Sequence, residues 1–298
     1  MSMAPLVYAL TLSWNGQNDT LACFESLQKL DYPNKRLLLV DNGSTDGTPE
    51  AVANQFPTVE LIRNETNLGF AAGMNVGLRH ALSQKADYII MVNNDTIIDP
   101  AALQKMIPLF GDDVGMVAPK IYYAAEPDRI WSVGGLKNPL TLEMAGDARG
   151  DIDREQWAEV LERDYFNGCA LLLSSPFLEE VGLFDERFFM YYEDSDLSIR
   201  ARQAGYRLLL SPHSHVWHKV ATTSGGSDSP NERYWMARSS IIFFRKHVHG
   251  WRWLIVVPYR TASAFRTISR LLWRRRFASV KAYIRGLRDG LGNSFPTR

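Results

Sequence analysis

Short apolar segments alternate with amphipathic helical segments along the first part of the chain, at a spacing of about 25 residues. This alternation predicts an α/β fold with a mostly parallel central sheet flanked by helices, because parallel strands need helical connections between them. The predicted strands are residues 6–12, 37–40, 59–62, 88–92, 114–118 and 166–173. The predicted helices between the early strands are residues 19–30, 49–55 and 69–83.

Polar residues follow three of these strands at the point where each strand ends. The three groups are Ser13, Trp14 and Asn15; Asp41, Asn42, Gly43 and Ser44; and Asn93, Asn94 and Asp95. In open α/β sheets, ligands bind beyond the carboxyl ends of the strands. The sequence therefore predicts a pocket of the nucleotide-binding type at this edge of the sheet.

Asp41 follows its strand without an intervening turn, which predicts a carboxylate at the rim of the sheet. There it can accept a hydrogen bond from a pyrimidine N3–H or a ribose hydroxyl. An Asx turn at Asp41-Asn42-Gly43 would explain the same residues, so both interpretations stay open.

Two acidic clusters are candidates for chemistry. Asp95 ends a buried strand, and a Mg²⁺ or Mn²⁺ on a diphosphate needs only one or two protein carboxylates. Glu193, Asp194 and Asp196 follow an aromatic run and suit either a general base or an acidic helix start. We expect Asp196 to be the N-cap of a helix over residues 197–204, which leaves Glu193 and Asp194 facing the pocket.

We expect residues 207–210 and 216–218 to be short extended segments. His218 lies in the second segment, and His213 and His215 lie between the two. In extended backbone His213 and His215 share a face and His218 points the other way. This disfavours a three-histidine zinc site and makes His218 the candidate ligand for a metal or a diphosphate.

Glycine-containing segments border the predicted pocket. Residues 67–75 form a helix start at Gly69 whose free N–H groups can face a phosphate, although such starts are common. Residues 222–231 contain two glycines and a proline among polar neighbours, which predicts a mobile loop and a candidate lid.

Composition excludes several classes of protein. With 298 residues, 46% of them hydrophobic, the chain can bury a core and is not disordered. Its two cysteines, Cys23 and Cys169, cannot form a disulfide framework, which indicates a reducing compartment. The sequence contains no run of about 20 apolar residues, so we expect no transmembrane helix. We expect a cytoplasmic protein.

The net charge of zero is the sum of two parts of the chain that carry opposite net charges. From Arg245 onward there are 13 Lys and Arg residues and one acid, Asp289, so the first 244 residues carry 20 basic and 32 acidic side chains. Phe277, Val280, Ile284, Leu287 and Leu291 recur at helical spacing among basic residues, which predicts a basic amphipathic helix. We therefore divide the chain into a catalytic domain, residues 1–245, and a basic helical region, residues 246–298. We expect that region to bind an anionic membrane; the alternatives are that it packs on the catalytic domain or contacts a second subunit in a homodimer. No feature of the sequence favours binding to nucleic acid.

The motifs together resemble glycosyltransferase family 2, most of all its rhamnosyltransferase-type members. The resemblance is carried by Ser13-Trp14-Asn15 and by residues 40–47, 67–71, 93–95 and 193–196, with support from residues 166–170, 181–185 and 218–220. It covers about residues 5–245. It implies a GT-A fold, with a Rossmann-like sheet, and inverting transfer of a sugar from a nucleotide diphosphate.

By position, the resemblance also implies roles for individual residues. The nucleotide-binding residues would be Ser13, Trp14, Asn15, Asp41, Asn42, Gly69, Asn75 and Asn94. Asp95 and His218 would bind Mg²⁺ or Mn²⁺, Asp194 would be the catalytic base, and Glu193 and Arg238 would contact the acceptor or the diphosphate. Asn93 replaces the first acid of the family's DxD motif, so strict metal dependence stays open.

The expected donor is a dTDP- or UDP-sugar, with dTDP-rhamnose first, and the expected acceptor is a glycan or a polyprenyl-diphosphate-linked sugar of a bacterial surface polysaccharide. The expected location is the cytoplasm, with peripheral attachment to the inner face of the plasma membrane. Two alternatives remain. A nucleotidyltransferase would carry a basic residue in the first phosphate loop, which Ser13–Gly16 lacks, and a degenerate sugar-nucleotide-binding subunit would not need the Glu193-Asp194 pair.

Overall fold

A computed structural model describes residues 4–146, 148–154, 156–220 and 227–292. The strands are β1 (Val7–Ser13), β2 (Lys35–Asp41), β3 (Glu60–Arg63), β4 (Tyr88–Val92), β5 (Thr96–Ile98), β6 (Val114–Tyr123), β7 (Glu126–Ser132), β8 (Leu136–Lys137), β9 (Met144–Ala145), β10 (Leu161–Glu162), β11 (Ala170–Ser174) and β12 (Arg207–His218). The α-helices are α1 (Gln17–Gln28), α2 (Thr48–Gln55), α3 (Phe70–Ser83), α4 (Ala102–Met106), α5 (Ser175–Val181), α6 (Glu193–Gln203), α7 (Pro230–His247), α8 (Trp253–Trp273) and α9 (Phe277–Leu291).

The central sheet has the strand order β10-β12-β6-β11-β4-β1-β2-β3. β1 pairs in parallel with β2 and with β4, whereas β11 is antiparallel to β4 and to β6. The predicted α/β class with a mostly parallel sheet is confirmed. The antiparallel β11 lies in the middle of the sheet and brings the second half of the chain next to the first.

Helices cover both faces of the sheet, which explains why its central strands are apolar at nearly every position. In β1, Tyr8 and Leu10 belong to the core on one face, and Val7 and Ala9 belong to the core on the other. Side chains of a strand alternate between faces, so one short segment supports two cores.

One local prediction is wrong. The helix expected to start at Leu197 begins at Glu193, so Asp196 is inside its first turn and is not its N-cap. The reason is tertiary: the Asp196 carboxylate is fully buried and is held by Arg200, Lys246 and His247. Residues 207–210 and 216–218 are extended, as predicted, and they belong to one strand, β12, with an irregular register between Ser211 and His215.

Cys23 and Cys169 are both free and buried. Burial raises the pKa of the Cys23 thiol to about 12. A thiol with such a pKa is not a nucleophile at neutral pH. Both cysteines are therefore small core residues.

The C-terminal helices pack on the preceding part of the chain. α9 lies against α7 so closely that a Cβ on Gly286 would come within 2.3 Å of the Tyr234 carbonyl oxygen, and a Cβ on Gly290 within 2.7 Å of that of Arg238. The predicted boundary at residue 245 falls inside α7. Among the helices in the described part of the chain, none combines the length and apolarity needed to cross a membrane.

Candidate active site

A cleft of about 610 Å³ opens at the edge of the sheet where β1, β2 and β4 end. The starts of α3, α6 and α7 and the end of β12 complete its walls. The predicted site residues that line it are Trp14, Asn42, Gly69, Asn94, Asp95, Glu193, Asp194 and His218. Residues from six separate parts of the sequence therefore meet in one hollow.

Asp95 and His218 face each other across one side of the cleft. β5, which follows Asp95, pairs antiparallel with the end of β12, so Thr96 is opposite His218. The His218 Nε2 atom lies 3.1 Å from Asp95 Oδ1 and 3.2 Å from Oδ2, and both side chains are buried. The ring of Trp131 packs edge-on against the imidazole at 4.5 Å, and His218 Nδ1 is buried without a hydrogen-bond partner.

This pair fits a divalent metal that is also held by a diphosphate. Neighbouring ligands of an octahedral ion at about 2.1 Å are about 3 Å apart, which is the separation of the Asp95 oxygen and the His218 nitrogen. No group of three or more His, Cys, Asp and Glu side chains among the described residues could hold an ion alone. Diphosphate oxygens and water would have to supply the remaining ligands.

Glu193 and Asp194 begin α6 on the opposite side of the cleft. The two residues before them, Tyr191 and Tyr192, both have a φ near +68°. Left-handed backbone costs about 1 kcal/mol or more for a non-glycine residue and often occurs at functional sites. Here it turns the chain sharply, so that both acids at the helix start reach the cleft.

Backbone N–H groups orient the carboxylate of Asp194. The Gly168 N–H donates to Oδ2 at 3.1 Å and the Ser195 N–H donates to Oδ1 at 2.6 Å. Burial raises the pKa of Asp194, although these hydrogen bonds oppose the shift. A fixed carboxylate with a raised pKa is a suitable general base.

Glu193 has a different environment from its neighbour. Its Oε2 atom is buried without a hydrogen-bond partner. Burial, reinforced by the charge of Asp194, raises the pKa of Glu193 well above its ordinary value. The protonated form is thereby favoured, and a protonated carboxyl can donate a hydrogen bond to a bound hydroxyl or phosphate oxygen.

Asp41 and Asn42 lie side by side at the end of β2. Asp41 Oδ2 accepts a hydrogen bond from the Ser44 N–H at 3.2 Å, as in the Asx-type alternative, but its Oδ1 is buried without a partner. Asp41 itself does not line the cleft, whereas Asn42 does. The Asn42 amide donates to Asn67 Oδ1 and to the Gly69 carbonyl oxygen, so it organises the start of α3.

Gly69 is required by the close approach of two segments. Its φ is +84°, and a Cβ there would lie 2.5 Å from the Phe189 carbonyl oxygen. That oxygen accepts from the Phe70 N–H, and Asn67 Oδ1 accepts from the Gly69 N–H. The N–H groups of Gly69 and Phe70 are thus already bonded within the protein, unlike the free donors expected there from the sequence.

The remaining predicted residues do not line the cleft. The Ser13 hydroxyl pairs with Thr20 Oγ1, and the Asn15 side chain accepts from the Thr45 N–H. The Asn75 amide is fully used by Phe184 and Glu186, which fixes the segment before α6. Arg238 is buried and donates to the Arg187 carbonyl oxygen.

Several aromatic and amide side chains that line the cleft were not predicted from the sequence. These residues are Phe70, Trp131, Asn167, Phe189, Tyr191, Asn231 and Trp235. The rings of Phe189 and Trp235 stack 4.2 Å apart, joining the segment before α6 to α7. Within the loop predicted as a lid, residues 222–226 lie outside the described part of the chain.

Known proteins share both the sequence pattern and the fold. A family model, Glycosyl transferase family 2, matches residues 10–175. An N-acetylglucosaminyl-diphospho-decaprenol L-rhamnosyltransferase of Mycobacterium tuberculosis is 29% identical over 239 residues, which are 72% of this chain and 76% of that protein. The dTDP-rhamnosyl transferase RfbF of Shigella flexneri is 21% identical over 248 residues, 81% of this chain and 80% of that protein.

Among solved structures, the mannosyltransferase PcManGT of Pyrobaculum calidifontis, in complex with GDP-Man and Mn²⁺, has a TM-score of 0.59. It is 18% identical, and the match covers 99% of this chain and 78% of that one. This likeness shows the fold, which is GT-A. The chain belongs to glycosyl transferase family 2 and is a glycosyltransferase of the rhamnosyltransferase-like kind.

Proposed function

We propose that this glycosyltransferase moves L-rhamnose, with inversion, from dTDP-rhamnose to a hydroxyl of a polyprenyl-diphosphate-linked sugar. The observation that carries the proposal is a single cleft with the Asp95–His218 pair on one side and the Glu193–Asp194 pair on the other. The relatives from M. tuberculosis and S. flexneri, which are rhamnosyltransferases by name, support the choice of sugar.

In this proposal the nucleotide lies where β1 and β2 end. Asp41 has a buried oxygen with no partner beside the cleft, and such an atom is costly unless a ligand donates a hydrogen bond to it. The N3–H of thymine or uracil is a suitable donor. Trp14 is 43% exposed at the same edge and offers an aromatic face for the base or ribose.

Asp95 and His218 would hold Mg²⁺ or Mn²⁺ at the diphosphate. When bound, the ion neutralises charge that develops on the departing nucleotide diphosphate. Both side chains are held in place before any ion arrives, since β5 and β12 pair through Thr96 and His218. His218 would bind the ion through Nε2, the ring nitrogen that faces Asp95.

Asp194 would act as the base that takes the proton of the attacking acceptor hydroxyl. The N–H donors of Gly168 and Ser195 aim the carboxylate, and the hydroxyl oxygen then attacks the anomeric carbon from the face opposite the nucleotide. Glu193, in its protonated form, donates a hydrogen bond to the acceptor or the diphosphate. The aromatic walls exclude water, which would otherwise hydrolyse the donor.

The decisive experiment is a transfer assay with purified protein, dTDP-rhamnose and a polyprenyl-diphosphate-linked N-acetylglucosamine. We expect a product heavier by one deoxyhexose by mass spectrometry, with the anomeric configuration inverted by NMR. UDP-glucose, UDP-galactose and GDP-mannose are the comparison donors. Faster transfer from one of these would overturn the assignment of rhamnose.

The metal proposal predicts a ligand-dependent stabilisation. We expect dTDP to raise the melting temperature of the wild type more in the presence of Mn²⁺ than in its absence, because a ligand selective for the native state stabilises it. In His218→Ala this Mn²⁺-dependent increment should disappear. His213→Ala is the matched control, since His213 lies on β12 outside the cleft. An undiminished increment in His218→Ala would exclude His218 as a ligand.

A further inference from the structure

Large apolar side chains are exposed along α8 and α9. Among them are Leu254, Phe265, Leu272, Trp273, Phe277 and Ile284. Trp273 is 84% exposed and Phe277 is 59% exposed, on either side of the turn between the two helices. Exposed apolar surface on this scale marks a site of interaction with a membrane or another protein.

The same region is strongly basic. Arg274, Arg275 and Arg276 form the turn between α8 and α9, and from Arg245 to Arg298 the only acid is Asp289. Aromatic and aliphatic side chains beside arginines match the interface of an anionic bilayer, where the apolar groups enter the acyl boundary and the cations stay at the phosphates. A second copy of this face would bring like charges together.

α9 uses only part of its apolar stripe to pack on its own chain. The buried residues of α9 are Ser279, Val280, Tyr283, Gly286 and Gly290, and the two glycines lie directly against α7. The side chains of Phe277, Ile284 and Leu291 are more than half exposed. Packing of α9 therefore buries Val280 and leaves these three apolar side chains available to a partner.

The turn between α8 and α9 is also tied to the mouth of the cleft. Asp228, which is 1% exposed, receives two hydrogen bonds from Arg270, at 2.7 and 3.0 Å, and one from Arg274 at 3.1 Å. The Ser279 hydroxyl donates to the Asp228 carbonyl oxygen at 2.7 Å. Three residues after Asp228, Asn231 lines the cleft.

We infer that the turn formed by Leu272, Trp273 and Phe277, with Arg275 and Arg276, inserts into an anionic bilayer. The Asp228 contacts then hold the wall of the cleft that contains Asn231 and Trp235 next to the lipid headgroups. This inference depends on the proposed function in one respect, the lipid-linked acceptor. The diphosphate of that acceptor lies at the level of the lipid headgroups and reaches the cleft from there.

Vesicle flotation of the full chain tests the surface without any sugar nucleotide. Wild type should float with vesicles of phosphatidylglycerol and phosphatidylcholine, less at high salt, and little with phosphatidylcholine alone. The double variant W273S/F277S should lose about tenfold or more in partitioning, since two large apolar groups no longer enter the bilayer. Val160→Ser, an exposed apolar position outside this region, is the matched control.

Transfer assays separate this inference from the proposed function. W273S/F277S should transfer sugar to a short-chain, water-soluble acceptor at the wild-type rate but should be slower with the long-chain acceptor in vesicles. Wild type that fails to float on anionic vesicles, or a double variant that floats equally well, would overturn the inference. The inference would also be overturned if light scattering showed that wild type is a dimer, that the double variant is not, and that neither binds vesicles.

Discussion

Asp194→Asn is expected to lower kcat for sugar transfer by about 10²–10⁴-fold, the usual contribution of a general base. The amide cannot take the acceptor proton, but it is nearly the same size, and its oxygen can still accept from Ser195 or Gly168. Binding of the donor nucleotide should change little, because Asp194 faces the acceptor side of the cleft in the proposed mechanism. Steady-state kinetics and calorimetric titration with dTDP measure the two effects.

The pH dependence of wild type gives a second readout. A base works only when deprotonated, and burial raises the pKa of Asp194, so kcat should increase with pH through a value above that of an ordinary aspartate. Asp112→Asn is the matched control, since it makes the same substitution at an exposed aspartate outside the cleft. Transfer by Asp194→Asn at the wild-type rate would remove Asp194 from the mechanism.

The largest effect on stability is expected for Asp196→Asn, a loss of about 3–5 kcal/mol in the free energy of unfolding. The buried carboxylate lies 2.9 Å from Arg200, 2.7 Å from Lys246 and 2.8 Å from His247. The amide removes the negative charge that Arg200 and Lys246 share, and its NH₂ group cannot accept the hydrogen bonds that a carboxylate oxygen accepts. Urea denaturation followed by circular dichroism measures the loss.

The pH dependence of this stabilisation has a definite sign. Burial alone would raise the pKa of Asp196, but hydrogen bonds from His247 and Lys246 outweigh it and the pKa is lowered. The stabilisation is present above the ordinary aspartate pKa and is lost as pH falls through the folded-state value. Glu50→Gln, which removes an exposed pair with Arg63, should leave the urea midpoint nearly unchanged. An unchanged midpoint in Asp196→Asn would contradict the assigned role.

The strands of the sheet were predictable from the sequence because each of them follows a local pattern. The segments at 37–40 and 88–92 are short, apolar and bounded by polar residues, and they became β2 and β4. Asp95, Glu193 and Asp194 could be named because carboxylates at the ends of buried segments are unusual. Asp95 lies in the cleft because it follows β4, which is parallel to β1, whereas Glu193 and Asp194 reach the cleft through the chain that follows the antiparallel β11.

Other features depend on contacts between distant segments. Nothing near Asp196 in the sequence indicates that Lys246 and His247 will surround it, so a helix cap was the natural expectation. Asn75 resembled a pocket residue, but it is bonded to Phe184 and Glu186. Trp131 and Trp235 have no local signal at all, since their place in the cleft depends on how β7 and α7 pack.

The contacts of the Asp196 carboxylate with Arg200, Lys246 and His247 affect how this enzyme can be engineered. Two of the three side chains that bind Asp196, and so hold the helix that begins with Glu193 and Asp194, are the last two residues of α7, Lys246 and His247. A version shortened before these positions would lose the support of its own active site. A variant that no longer binds membranes is better obtained by replacing the exposed apolar side chains of α8 and α9 than by shortening the polypeptide.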